Sequence, residues 1–113
     1  MTTEPVILAE RVDPPVAELV LTIPPDLRYL RGHFPDAPVL PGVVQLAWAL
    51  ELAKRFLGVA GAVHGIEALK FRQVIEPRAR VTLTLTYAEN TGKLHFSYES
   101  DRGPHSSGRI ALR

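Results

Sequence analysis

One stretch of this chain has residue types and spacing suited to acid–base chemistry: Gly32-His33-Phe34-Pro35-Asp36-Ala37-Pro38-Val39-Leu40-Pro41-Gly42-Val43-Val44. His33 sits in a loop stiffened by Pro35, Pro38 and Pro41, which fixes the position of the imidazole at low entropic cost. The loop leads into what reads as the N-terminus of a buried helix. There the first N–H groups lack intrahelical acceptors, and the positive end of the dipole favours developing negative charge. Gly42 carries no side chain, so a ligand carbonyl could approach its backbone. A base beside an oxyanion-type donor suits removal of a proton alpha to a carbonyl. A plainer reading uses the same residues: prolines for loop rigidity, Gly42 for packing, and a histidine with no chemical role.

The elements that must hold this run can be read from periodicity. Pro41 to about Leu57 is the one convincing helix, with proline at its first position, where the missing N–H has no partner to lose. Gly58 and Gly61 end it. Val43, Val44, Leu46, Ala47, Trp48, Ala49 and Leu50 make its early turns apolar almost all round, which predicts a buried helix. Polar residues gather late, at Glu51, Lys54 and Arg55. Val6 to Ala9 is a short apolar run, and Pro14-Pro15 interrupts. Val16 to Ile23 reads as a strand ended by Pro24-Pro25, since proline cannot donate to a ladder. Ala62 to Arg72 is a further strand candidate. Val81, Leu83, Leu85 and Tyr87 alternate with threonines, and Leu94, Phe96 and Tyr98 alternate with His95, Ser97 and Glu99. Turns at Asn90-Thr91-Gly92 and Asp101-Arg102-Gly103-Pro104, with a last strand from Ser107 to Leu112, predict an antiparallel meander. A sheet wrapped around one helix follows, an α+β arrangement in a single domain spanning residues 1–113.

Composition narrows the function. The 113 residues carry a formal net charge of +1, and no Lys/Arg run is present, which argues against a nucleic-acid binder. There is no cysteine, hence no disulfide, thiolate metal site or cysteine nucleophile. No apolar stretch approaches the roughly 20 residues needed to span a bilayer, and no signal-peptide pattern opens the chain. The expectation is a soluble cytoplasmic protein without a metal or other cofactor. His64, His95 and His105 are dispersed without metal-ligand spacing, and His95 falls on the polar side of its strand. Ser106-Ser107 lacks a nucleophile-elbow context. Trp48, Phe56 and Tyr98 read as core or interface residues.

The run from Gly32 to Val44 closely resembles the active-site motif of the 3-hydroxyacyl-acyl-carrier-protein dehydratases of fatty-acid synthesis. There a His-Phe-Pro-type triplet is followed by Pro, by Pro-Gly and by the central helix of the hot-dog fold. The likeness extends to Ile23–Tyr29 before the motif and to Leu69-Lys70-Phe71-Arg72 after the helix, covering about residues 16–113. Val43-Val44-Gln45-Leu46 followed by Trp48 is most similar to the small dehydratase-like proteins of aryl-polyene biosynthesis clusters. The resemblance implies a hot-dog fold with an antiparallel sheet around a long central helix, two subunits joined as a homodimer through one continuous sheet, and an acyl-carrier-protein or coenzyme A thioester as substrate. His33 matches the family's catalytic histidine, and Gly42 the residue whose N–H polarises the thioester carbonyl. Phe34, Pro41, Val43 and Val44 are expected to line the substrate path.

One position departs from the pattern. The family places an Asp or Glu on the partner's central helix fourteen positions after the histidine, and here that position is Ala47. An engineered loss of the acid, a natural homologue using another group, and a protein that binds acyl thioesters without dehydrating them all fit. Glu51 lies one turn beyond Ala47 on the same face and could substitute, although a solvated late-helix carboxylate is the plainer reading. Gln45 could orient a water or substrate hydroxyl, but points about 160° away from Ala47 on an ideal helix. Asp36 suits a loop-tip turn. Arg72, Arg78 and Arg80 could meet an acidic carrier or a phosphopantetheine arm, with a solvated strand edge the plainer reading for at least two. The expected function is dehydration of a 3-hydroxyacyl thioester to the 2-enoyl thioester, impaired by Ala47. The alternatives are a non-catalytic acyl-thioester-binding protein and a thioesterase.

Overall fold

A computed structural model describes residues 3–26 and 39–113. His33, Phe34 and Asp36 lie outside these residues. The elements run β1 (Val6–Asp13), β2 (Val16–Thr22), α1 (Gly42–Leu57), β3 (Val63–Phe71), β4 (Arg80–Ala88), β5 (Lys93–Ser100) and β6 (Gly103–Leu112). All six strands form one sheet in the order β1-β2-β4-β5-β6-β3, and every neighbouring pair is antiparallel. This is the α+β, hot-dog arrangement the sequence implied.

The alternation in β2, β4 and β5 decides which side the helix covers. Leu19, Leu21, Val81, Leu83, Leu85, Leu94, Phe96 and Tyr98 are buried, while the intervening threonines of β4 are only half-buried. The helix meets this apolar face with Val44, Trp48, Ala49, Leu52 and Ala53, at the spacing of one helical face. Gly58 closes the helix in the left-handed region at φ 64, a conformation that glycine adopts without steric penalty.

Several expectations need correction. Pro41 is the N-cap rather than the first helical residue, with φ −60 and ψ 146. Its carbonyl accepts from Val44 N at 3.1 Å and Gln45 N at 3.2 Å, so the helix begins at Gly42. The early helix is not buried all round. Val43 is 72% exposed, and Ala47 and Glu51 are exposed on the same face, because the sheet reaches only one side. β1 runs well past the apolar stretch that marks its start. As an edge strand it makes its ladder with β2 alone, so alternation is not required of it. β6 begins at Gly103, ahead of the expected Ser107, because Pro104 and Gly103 already pair with Glu99 and Ser100.

One rung of the sheet passes beneath the start of the helix. Leu19 pairs with Leu83, Leu83 with Tyr98, Tyr98 with Ser106 and Ser106 with Phe71. Cross-strand partners share a face of the sheet, so these five side chains form a row pointing toward the helix.

Candidate active site

Among the described residues, no side chain caps the helix N-terminus. Pro41 offers no side-chain cap, and the first turn contains no acidic residue, whereas Lys54 and Arg55 sit in the last turn. No side chain of the first turn or the cap, among the described residues, compensates the positive end of the dipole. Among the described residues the Gly42 N–H has no acceptor. A trans peptide holds its N–H opposite its C=O. Anchoring Pro41 O inside the helix thus aims Gly42 N–H out of the N-terminal end, where an anion or a polarised carbonyl is favoured.

The reason for glycine at 42 differs from the expected one. A Cβ there would lie 2.6 Å from Cζ and 2.9 Å from Cε1 of Phe71. The space is filled by an aromatic ring, not kept open for a ligand. Only the backbone N–H remains available, and Phe71, itself 51% exposed, walls one side of it. The sequence places Phe71 in a motif but gives no sign of this contact.

The first turn is tied to the rung below it. Gln45 is 3% exposed. Its Nε2 donates to Leu40 O at 3.1 Å, and its Oε1 accepts from Ser106 Oγ at 2.6 Å. The Gln45 carbonyl accepts from Tyr98 Oη at 2.7 Å. Burial pushes the Tyr98 phenol well above its ordinary range, which keeps it a donor. The side-chain amide of Gln45 is thus engaged at both ends inside the protein, which corrects the expectation that it orients a water or a substrate hydroxyl. Leu40 N donates to Ile75 O at 2.8 Å, fixing the entry to the helix against the β3–β4 connection.

The outward face of the helix forms one side of a groove of about 340 Å³, bordered by Thr3, Val43, Val44, Ala47, Trp48 and Glu51 among others. Trp48 Nε1 donates to Thr3 O at 3.1 Å, so the N-terminal segment is held across the helix as the opposite wall. Four of the residues singled out from the sequence, Val43, Val44, Ala47 and Glu51, therefore share one groove. Pro41 and Gly42 do not line it and lie at its helix-start end. No carboxylate stands at position 47; Glu51, one turn further along the helix, and Glu4 both line the groove.

Elsewhere, His105 is buried, with Nδ1 3.0 Å from Val74 O and Nε2 2.6 Å from Ser100 Oγ. A carbonyl only accepts, so Nδ1 carries the proton and Nε2 accepts from Ser100. This ring locks the β5–β6 turn to the β3–β4 connection. Arg78 and Arg80 line a 210 Å³ surface pocket with Arg102, but Glu76 and Asp101 share it, which offsets its charge. Arg72 is exposed. Lys93 Nζ lies 2.7 Å and Arg109 Nε 3.3 Å from Glu67 Oε1, and the hydrogen bond from Lys93 leads in holding the Glu67 carboxyl below its ordinary range. Among the described residues no group of His, Asp and Glu is arranged to hold a metal ion, and no helix is long and apolar enough to cross a membrane.

Comparison with known proteins agrees with this fold. The family model of the ApeI-like proteins, described as ApeI dehydratase, matches residues 9–109. A chain of the dehydratase heterocomplex ApeI:P from Xenorhabdus doucetiae superposes with a TM-score of 0.91 at 31% identity, covering 97% of this chain and 98% of that one. An uncharacterized protein from Erwinia carotovora subsp. atroseptica superposes with a TM-score of 0.84 at 36% identity, covering 96% and 95% of the two chains. The 3-hydroxyacyl-[acyl-carrier-protein] dehydratase FabZ of Oenococcus oeni is 35% identical over 77 residues, 59% of this chain and 55% of the relative. The chain thus spans about half the length of that curated relative. With the family model covering most of its length, this hot-dog chain belongs to the ApeI-like dehydratase family.

Proposed function

We propose that this chain, as a single hot-dog unit, contributes the base and the carbonyl-polarising amide to dehydration of a 3-hydroxyacyl thioester in the cytoplasm. The carrier is an acyl carrier protein or coenzyme A. The observation that supports this most is that, among the described residues, the Gly42 N–H has no acceptor at a helix N-terminus without a side-chain cap, nine residues after His33 in the sequence. His33 takes the alpha proton, Gly42 N–H supports the negative charge on the thioester oxygen, and the beta C–O bond breaks as the hydroxyl leaves as water. That hydroxyl needs a proton, and Ala47 cannot deliver one. Phe34, Pro41, Val43 and Val44 lie along the substrate path in this reading.

The groove supports a site completed by a second chain. Val43, Ala47 and Glu51 point away from their own sheet, as expected of a face that meets a partner's loop and helix. The edge strand β3 leaves Val63, Ile66, Leu69 and Phe71 exposed, a surface suited to pairing with another hot-dog chain. A homodimer would set Ala47 opposite each His33 and lack the acid. The relative from Xenorhabdus doucetiae occurs in a heterocomplex, and a non-identical partner with a carboxylate at the equivalent helix position would supply the missing proton. The deciding experiment assays a 3-hydroxyacyl-coenzyme A with this chain alone, with His33→Ala and with Ala47→Glu. Activity that appears with Ala47→Glu and disappears with His33→Ala supports the reading. Tight binding of the thioester with no turnover in any variant replaces it with an acyl-thioester-binding function, which the absent carboxylate favours.

A further inference from the structure

We propose that Gln45 is a positioning residue that sets the direction of the Gly42 N–H, an inference that rests on the dehydratase reading of that amide. Three facts about the first turn carry it. Pro41 has its φ fixed near −60 by its ring, so the orientation of the Leu40–Pro41 peptide passes almost directly to the next peptide. Gln45 Nε2 holds that peptide at Leu40 O. The Pro41–Gly42 peptide, held at ψ 146, then has a single direction in which to send its N–H.

The side-chain amide of Gln45 is itself unable to turn. Leu40 O only accepts, so the NH₂ end must face it, and Oε1 must face the Ser106 hydroxyl. Ser106 and Tyr98 are directly paired across β5 and β6. Both of them grip Gln45, one at the side chain and one at the carbonyl. Phe71, the next residue of the same rung, packs against Gly42. A single cross-strand row thus fixes the helix start at three points. A buried amide is an inefficient way to stabilise packing, because its desolvation offsets most of what its hydrogen bonds return. An apolar side chain of the same length would serve packing alone. What the amide adds is orientation, and a donor that is out of line by about 1 Å loses on the order of 100-fold in rate.

The test separates positioning from folding. Butyryl-coenzyme A, isotope-labelled at its carbonyl carbon, is bound to the intact protein, and the carbonyl stretching band is read by difference infrared spectroscopy. Exchange of its alpha protons with deuterium is read by mass spectrometry. Neither readout needs an acid at position 47. The unaltered protein is expected to lower the band and promote exchange. Gln45→Met is expected to remain folded by circular dichroism and to bind the thioester, while the band returns toward its free position and exchange slows by about 10–100-fold. Ser106→Ala, which removes one contact only, is expected to give a smaller loss of the same kind, and it carries the test if Gln45→Met does not fold. A folded Gln45→Met, or failing that Ser106→Ala, with unchanged band and exchange overturns the positioning role and leaves the dehydratase reading standing. An unaltered protein that neither shifts the band nor promotes exchange overturns both.

Discussion

The ring of Phe71 occupies the volume that a side chain on Gly42 would need, with Cζ 2.6 Å from the position of the missing Cβ. Gly42→Ala therefore has opposite signs in two backgrounds. In the unaltered protein it forces the ring aside and is expected to destabilise by about 1–2 kcal/mol. In a Phe71→Ala background the clash is gone, and the same change should stabilise by about 0.5–1 kcal/mol through helix propensity. Denaturant unfolding of the four proteins of this cycle measures the coupling, and equal effects in both backgrounds would show that the two residues do not compete for space.

Position 47 is chemically empty but sterically open. Ala47→Glu or Ala47→Asp is expected to leave stability within about 0.5 kcal/mol, as for most exposed positions, and to raise turnover of a 3-hydroxyacyl thioester by about 10²–10⁴-fold. Glu51→Gln should have no effect if Glu51 is only a solvated carboxylate. Brisk turnover by the unaltered chain that is lost in Glu51→Gln would reverse this assignment and make Glu51 the acid.

Strand β3 is an edge with exposed apolar side chains along its length, Ile66 at 46% and Leu69 at 39%. A two-fold dimer would pair β3 with β3 and extend the sheet. Ile66→Lys places a charge in that contact and should weaken association at least tenfold, about 1.4 kcal/mol, seen as a shift toward monomer in sedimentation or light scattering. Unaltered association in Ile66→Lys would place the interface elsewhere.

Tyr98 predicts the alkaline limb of stability. Burial raises its phenol above the ordinary value of 10.0, so above that pH the unfolded chain releases a proton that the folded chain retains. The stabilisation is complete below pH 10 and declines as pH rises beyond it. Tyr98→Phe should cost about 1 kcal/mol at neutral pH by removing the donor to Gln45 O, and should flatten the decline above pH 10. An identical alkaline slope in Tyr98→Phe would show that other groups govern it.

Much of this architecture is legible in local pattern. The threonine alternation of β4 and the Gly58 stop after α1 are statements about neighbours in sequence, and both appear where the pattern puts them. The run from Gly32 to Val44 is likewise a local pattern, but residues 32–38 of it lie outside the described residues. What escaped are relations between distant residues. Nothing near Gln45 announces that Ser106 and Tyr98 will close on it, and nothing near Gly42 announces Phe71. The apolar early helix reads as buried all round because hydrophobicity marks a surface that is to be covered without saying by what. The sheet covers Val44 and Trp48, while Val43 and Ala47 stay outside. Pro41 fits the first helical position and the cap almost equally well by residue type, and its carbonyl contacts decide for the cap.

The exposed position of Ala47 has a consequence for how such a chain can change over time. The side chain there is exposed, so among the described residues folding places little demand on it. A carboxylate can be lost or regained at that site without any repair of the core. Gln45, two residues earlier on the same helix, has no such freedom, since Leu40, Ser106 and Tyr98 all hold it. On the proposed dehydratase reading, the two halves of the chemistry would be unequally heritable: the amide end bound to the survival of the fold, and the acid end free to migrate to another gene.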